Sequence, residues 1–135
     1  MEFFHELSYE EIEWILNRGD MNIIQNGTVL IKEETSGKDF YIILDGEMNV
    51  FQVEKGVRRD IRTMASGSII GEIGALLHLN RTASVETISE CVVLRYTDKL
   101  FNEVERINPS LANKLYRNVI SILIKRYAII KKDGV

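Results

Sequence analysis

"FYIILDGEMNV", residues 40–50, decides the class of fold. Two runs of mostly apolar, strand-forming residues flank Asp45-Gly46, and both of those residues tolerate positive φ. The stretch therefore predicts two short strands joined by a tight hairpin turn. The same pattern continues outward. Gly19, Gly27, Gly37, Gly46, Gly56 and Gly67 recur at intervals of 8 to 11 residues, and between them lie runs such as "TVLIK" and "MNVFQV". Short strands punctuated at that spacing predict a sandwich or barrel. We read the middle of the chain, 21–97, as an antiparallel β-roll of jelly-roll type within an α+β fold.

Helices are expected on either side. Ser8 and Glu11 form a capping box that opens a short amphipathic helix with Ile12, Ile15 and Leu16 on its apolar face, inside an N-terminal segment 1–20. After the last strand Thr97 is placed to cap "DKLFNEVERI". Asn108-Pro109 then supplies a cap and a first-position proline for a long helix running to about Lys132. These make a C-terminal helical segment, 98–135. Its stretch "VISILI", 119–124, is apolar on more than one side, so it is either sandwiched in the core or covers a ligand or a partner. Ser110 to Lys132 carries six basic residues and no acidic one, read first as a solvated face and second as an anion-facing one.

Bulk properties narrow the function. The 135 residues, 45% hydrophobic and 27% charged, suit one domain with a real core. A net charge of −3 argues against a general affinity for nucleic acid. Cys91 is single and lies in the apolar run "CVVLRY", which predicts a buried thiol in a reducing compartment. The start of the chain has no signal-peptide pattern, and no apolar run approaches the roughly 20 residues needed to span a bilayer. The chain reads as cytoplasmic.

The chemistry is expected in "GEIGALLHLNRTASVET", 71–87. Gly71 permits close approach to the backbone at a strand-to-helix junction, where free N–H groups favour an anion. Arg81 offers a forked donor that matches phosphate. Glu72 would repel a phosphate but suits a sugar hydroxyl. One compact ligand with both groups satisfies the two residues. The plainer alternative is a surface ion pair between Glu72 and Arg81.

This segment resembles the phosphate-binding cassette of the cyclic nucleotide-binding domain family, which includes catabolite-activator regulators, kinase regulatory subunits and nucleotide-gated channels. In that family a Gly-Glu is followed nine positions after the Glu by an Arg-Thr-Ala type run, here "GEIGALLHLNRTASV". "FYIILDGEMNV" is similar to the family's central hairpin, and the likeness extends over nearly the whole chain. The resemblance implies that Arg81 holds exocyclic phosphate oxygens and Glu72 the ribose 2′-hydroxyl. It implies further donors at Gly71, Ile73, Thr82 and Ala83. Met64 becomes a candidate wall for the base, and Ile122 and Arg126 candidates for a C-terminal lid. Three positions depart from the family pattern: Asn80 for a proline, Ile70 for a phenylalanine, and Glu33-Glu34 for a Glu-Gly that would need a different turn.

Thr82 could favour cyclic GMP through the guanine amino group, yet many relatives with "RTASV" respond to cyclic AMP, and the balance is set here for cyclic AMP. The expected function is a non-catalytic sensor that relays binding through its C-terminal helices to an effector or a second copy. With the chain ending at Val135, the sensor would stand alone or form part of a longer protein. Two rivals remain. One is a scaffold that keeps the fold, has lost the ligand and pairs through "VISILI". The other is a metal-dependent cupin, which would need clustered ligands, whereas His5 and His78 are far apart. Ser66, Ser68 and Ser84 suit turns and strand edges better than catalysis. No metal or cofactor is expected.

Overall fold

The computed structural model describes residues 1–77 and 79–127, with side chains at 73, 76, 77 and 127 left aside. The elements are a 3-10 turn at Glu2–Phe4, α1 (Tyr9–Arg18), β1 (Asp20–Ile24), β2 (Val29–Ile31), β3 (Phe40–Asp45), β4 (Met48–Glu54), β5 (Val57–Met64), β6 (Ile69–Ile70), α2 (Glu72–Leu77), β7 (Ser84–Thr87), β8 (Cys91–Tyr96), α3 (Asp98–Ile107) and α4 (Pro109–Tyr127). The strands form two antiparallel four-stranded sheets, ordered β1-β8-β3-β6 and β2-β7-β4-β5. This is the β-roll with flanking helices that the sequence predicts.

Local chemistry sets the helix starts. The Ser8 hydroxyl accepts from Glu11 N–H while the Glu11 carboxylate accepts from Ser8 N–H, closing the capping box. Thr97 accepts from Leu100 N–H, and the Asn108 side chain accepts from Leu111 N–H just after the α3–α4 junction. Position 132, where the sequence ends the last helix, lies outside the described residues, as does His78.

The Asp45-Gly46 turn is a correction to the hairpin expectation. β3 and β4 lie in different sheets and do not pair, so this turn is a corner of the roll. Gly46 takes φ +101° against the β7–β8 connection, where an added Cβ would meet Glu90 O at 2.6 Å. The tight hairpin lies one turn later. β4 and β5 pair along their length, and both turn residues, Lys55 and Gly56, have positive φ, as a type I′ turn requires. The sequence signal at "DG" marked the need for positive φ correctly. Which strand lies alongside which is decided by β8, which pairs with β3 over Phe40–Asp45 and places it in the other sheet.

Two apolar cores result. Between the sheets lie Ile31, Ile43, Met48, Met64, Val85 and Val93, with Cys91 fully buried among them. Between the first sheet and the helices lie Phe3, Ile15, Phe40, Leu94, Leu111 and Ile122 among others, with the Phe40 and Tyr96 rings stacked at 4.7 Å. Helix α4 is tied to the N-terminus as well. The buried Asn118 amide donates to the carbonyls of both Phe3 and His5, at 2.8 and 2.9 Å. Lys114 pairs with Glu11, and Lys125 with Glu2. The basic run of α4 is therefore not simply a solvated face, because part of it meets acidic partners on other elements. "VISILI" divides: Val119 and Ile122 are buried, while Ile120 is 56% exposed.

The Glu33-Glu34 departure also has a structural answer. Glu34 adopts φ +66°, the left-handed conformation for which glycine is the usual residue. It is held there because its N–H donates to Arg81 O at 3.0 Å. The Glu33 side chain accepts from Val53 N–H at 2.7 Å. An L-residue in this region costs about 1–2 kcal/mol, partly offset in glycine by its larger unfolded-state freedom. Glu34→Gly is therefore expected to raise stability by about 0.5–1 kcal/mol, read as a higher urea midpoint at unchanged slope.

Candidate functional site

Arg81 lies on the loop between α2 and β7, and the fold grips it through its backbone first. Its N–H donates to Thr35 O at 2.7 Å and its carbonyl accepts from Glu34 N–H, so the β2–β3 loop clasps it on both sides. The guanidinium then turns inward, leaving the residue 8% exposed. Nη1 donates to Gly71 O at 2.6 Å and Nη2 to Asp39 O at 2.7 Å. Two glycines make the room: a Cβ at Gly37 would come within 2.4 Å of Nη2 and one at Gly71 within 2.8 Å of Nη1, while one at Gly74 would meet Leu79 O at 2.9 Å. Gly71 also needs its φ of +81°. Asp39 is fixed in turn by Arg95 on β8, whose Nη2 lies 2.7 Å from the Asp39 carboxylate. A guanidinium has five N–H groups, so two bonds to carbonyls leave donors over for an anion.

Glu72 opens α2 and is only 2% exposed. It does not pair with Arg81. Its partner is Arg126 from α4, at 2.5 Å, and the other arm of Arg126 donates to Ile69 O at 2.7 Å. The surface ion pair weighed for Glu72 and Arg81 is thus replaced by two separate, buried arrangements. Burial pushes the Glu72 carboxyl above the usual carboxylate range, and the Arg126 guanidinium opposes that rise.

Both residues nonetheless face one cleft. It holds about 450 Å³, open solvent at its mouth included, and is lined by Gly71, Glu72, Arg81, Thr82, Ala83 and Arg126 with an apolar floor that includes Ile31, Val50 and Val85. The Thr82 carbonyl accepts from Gln52 Nε2 at 2.8 Å, tying this rim to β4. Met64 and Ile122 do not line this cleft. They line an adjoining hollow with Ser66, Ser68 and Lys125, and Arg126 stands at both. Ile73 sits in the first turn of α2, and its side chain lies outside the description. Among the described residues no three histidine, cysteine or acidic side chains gather as a metal site would need.

Sequence reasoning missed the supporting shell. Asp39 and Gly37 act on Arg81 from more than 40 residues away, and nothing local marks them. Arg126 was named as a lid, but not as the counter-ion of Glu72.

The buried pair makes a pH prediction. A carboxyl whose folded pKa stands above its unfolded value of 4.5 contributes its full stability below that value. The contribution fades as pH rises through the folded pKa. Arg126→Met removes the opposing charge and moves the folded pKa of Glu72 further up. The melting-temperature deficit of this variant against the parent should therefore be smallest near pH 4 and widen toward pH 8. In free energy the total widening between the two limits should be about 1.4 kcal/mol for each unit separating the two folded pKa values. A deficit that stays flat across that range would show that no proton is taken up at Glu72.

The geometry agrees with what comparison with known proteins finds. The family described as cyclic nucleotide-binding domain matches residues 22–107. An ABC transporter ATP-binding protein of Mycobacterium tuberculosis, itself uncharacterised, is 33% identical over 81 residues, 59% of this chain and 24% of the relative. The potassium channel AKT1 of Arabidopsis thaliana is 28% identical over 94 residues, 70% of this chain and 11% of the channel. The chain thus spans about a quarter or less of these curated relatives. Among solved structures, a cyclic nucleotide-binding domain from Methylobacillus flagellatus superposes with a TM-score of 0.86 at 22% identity, covering 93% of this chain and 71% of that one. The catabolite activator protein of Thermus thermophilus gives 0.82 at 20% identity, covering 95% and 59%. The regulatory domain of Toxoplasma gondii PKA with cAMP gives 0.67 at 25%, covering 76% and 40%. With most of its length matched by the family and its β-roll shared with these structures, the chain belongs to the cyclic nucleotide-binding domain family.

Proposed function

We propose that this domain is a non-catalytic sensor of a cyclic mononucleotide, and that it passes occupancy to a partner through α4. One observation carries the reading: a single cleft presents a buried guanidinium and a buried carboxylate that are not paired with each other. A ligand with a negative end and a hydroxylated ring fits both. The unused N–H groups of Arg81 take the exocyclic phosphate oxygens, assisted by the backbone at Gly71, Ile73, Thr82 and Ala83. Glu72 accepts from the ribose 2′-hydroxyl. The base extends toward Met64 and Ile122 in the neighbouring hollow.

The relay follows from shared use of Glu72. Its carboxylate holds Arg126, the last described charged residue of α4. A ribose hydroxyl arriving at the same oxygens changes how firmly α4 is held, and a ligand shifts a protein only through such differential contacts. Because Asn118 ties the N-terminal turn to α4, the two are expected to respond together. The output is an effector joined to this domain or a second copy. The exposed Ile120 offers α4 an apolar contact for either. The named relatives supply a precedent for attachment, since this chain spans only a part of each. No described helix is long and apolar enough to cross a membrane, and we place the domain in the cytoplasm. On base choice, the family resemblance leans to cyclic AMP.

The same exposed Ile120 favours the scaffold as a second reading, in which the fold pairs copies without a ligand. Calorimetric titration with cyclic AMP, cyclic GMP and cyclic di-GMP separates the two. Heat from a cyclic mononucleotide supports the sensor, and silence from folded, monodisperse protein supports the scaffold. Arg81→Lys is expected to weaken nucleotide binding by about 100-fold or more, because an ammonium cannot make the forked contact. It should also lower the melting temperature, since lysine cannot reach the Gly71 and Asp39 carbonyls together.

A further inference from the structure

A third hollow stands apart from the cleft of Arg81 and Glu72 and from the hollow beside it. Among the described residues its lining shares no member with either. It lies where the β2–β3 loop, α2 and the start of α3 meet, and its walls are Phe40, Ala75, Tyr96 and Phe101. Phe40 and Tyr96 are stacked at 4.7 Å, and Phe101 stands edge-on to Tyr96 at 6.0 Å. The rim is charged. Lys38 and Asp98 both border the hollow and both are exposed. Among the described residues neither has an ion-pair or hydrogen-bond partner, and they do not pair with each other. An aromatic wall thus lies beneath one free cation and one free anion. The place matters as well. Lys38 sits between Gly37, which packs on the Arg81 guanidinium, and Asp39, whose carbonyl accepts from it. Ala75 belongs to α2, the helix that Glu72 opens.

We propose that this hollow is a second ligand site, for a free aromatic α-amino acid, and that its occupancy alters the affinity of the Arg81 cleft. The ligand ring lies against Phe40, Tyr96 and Phe101, where edge and face contacts between rings add to the burial of apolar surface. The α-carboxylate meets Lys38 and the α-ammonium meets Asp98. An aromatic amine satisfies Asp98 alone and faces the like charge of Lys38. An aromatic acid satisfies Lys38 alone and faces the like charge of Asp98. Only the zwitterion answers both. The coupling follows from the shared elements: a ligand seated here touches the loop that clasps Arg81 and the helix that carries Glu72, so it acts on the cleft through direct contacts. That half of the proposal rests on the cyclic-mononucleotide reading above, and the site itself does not.

The test is titration of the full chain with L-phenylalanine, phenethylamine, 3-phenylpropionate and L-alanine, read as heat and as a raised melting temperature, for the parent, Lys38→Met and Asp98→Asn. Both side chains are exposed and unpartnered among the described residues, so the unliganded variants should melt with the parent. L-Phenylalanine is expected to bind the parent, phenethylamine and 3-phenylpropionate about fivefold more weakly each, and L-alanine not at all. In Lys38→Met the deficit of phenethylamine should vanish, and in Asp98→Asn that of 3-phenylpropionate, because each variant removes the partner of the group that the analogue lacks. A parent that does not bind L-phenylalanine, or deficits that both variants leave intact, overturns the site. Titration of cyclic AMP and cyclic GMP with and without saturating L-phenylalanine reads the coupling, expected as a change of about fivefold or more, with the reciprocal change in L-phenylalanine affinity. An unchanged nucleotide affinity overturns the coupling and leaves both the site and the sensor standing. Absence of nucleotide binding overturns the sensor and the coupling, and leaves the site.

Discussion

The arrangement on which the site depends is the burial of a permanently charged guanidinium against backbone carbonyls. Among the described residues no carboxylate is paired with Arg81, which is held out of solvent by Gly71 O and Asp39 O. Such a charge is costly to bury unless its donors are met. The surrounding fold is shaped to meet them. Gly37 and Gly71 lack a side chain, so the backbone can close on the guanidinium. The β2–β3 loop bends through a left-handed glutamate to clasp the backbone of Arg81, and Arg95 pins the residue whose carbonyl completes the set. A buried guanidinium held only by neutral carbonyls among the described residues favours an anion beside it.

The second charge pair has the opposite character. Glu72 and Arg126 neutralise each other, but they come from elements that belong to different parts of the molecule. Glu72 starts the helix that follows β6, and Arg126 comes from the far end of α4. A buried pair of this sort adds little net stability over an apolar substitute, whereas separating it is expensive. Its value is that it makes the position of α4 depend on what else the Glu72 carboxylate is holding. In the sensor we propose, sensing and relaying share a single functional group, which needs no long chain of intermediates between the pocket and the helix.

Helix α4 is also bound to the other end of the chain. Asn118 meets the carbonyls of Phe3 and His5, Lys114 meets Glu11, and Lys125 meets Glu2. These contacts make the N-terminal turn and α4 one packed unit on the outer face of the first sheet. The cleft takes Arg126 from that unit at its rim and Val50 from β4 in its floor.

The sequence by itself determined the elements and the cassette, because those signals are local. Capping at Ser8, Thr97 and Asn108, the glycine spacing and the Gly-Glu to Arg interval all act within a few residues or within one loop. Glycine at 46 was legible as a need for positive φ. That it turns a corner between sheets, and that the true hairpin lies at Lys55-Gly56, depended on β8 pairing with β3 from some fifty residues away. The partners of the two key charges were likewise hidden. Glu72 finds Arg126 at a separation of 54 residues, and Arg81 finds Asp39 at 42. A sequence shows which side chains carry charge. Only closure of the roll decides which of them are buried together, because desolvation and pairing are set by whatever lies across the cleft rather than along the chain.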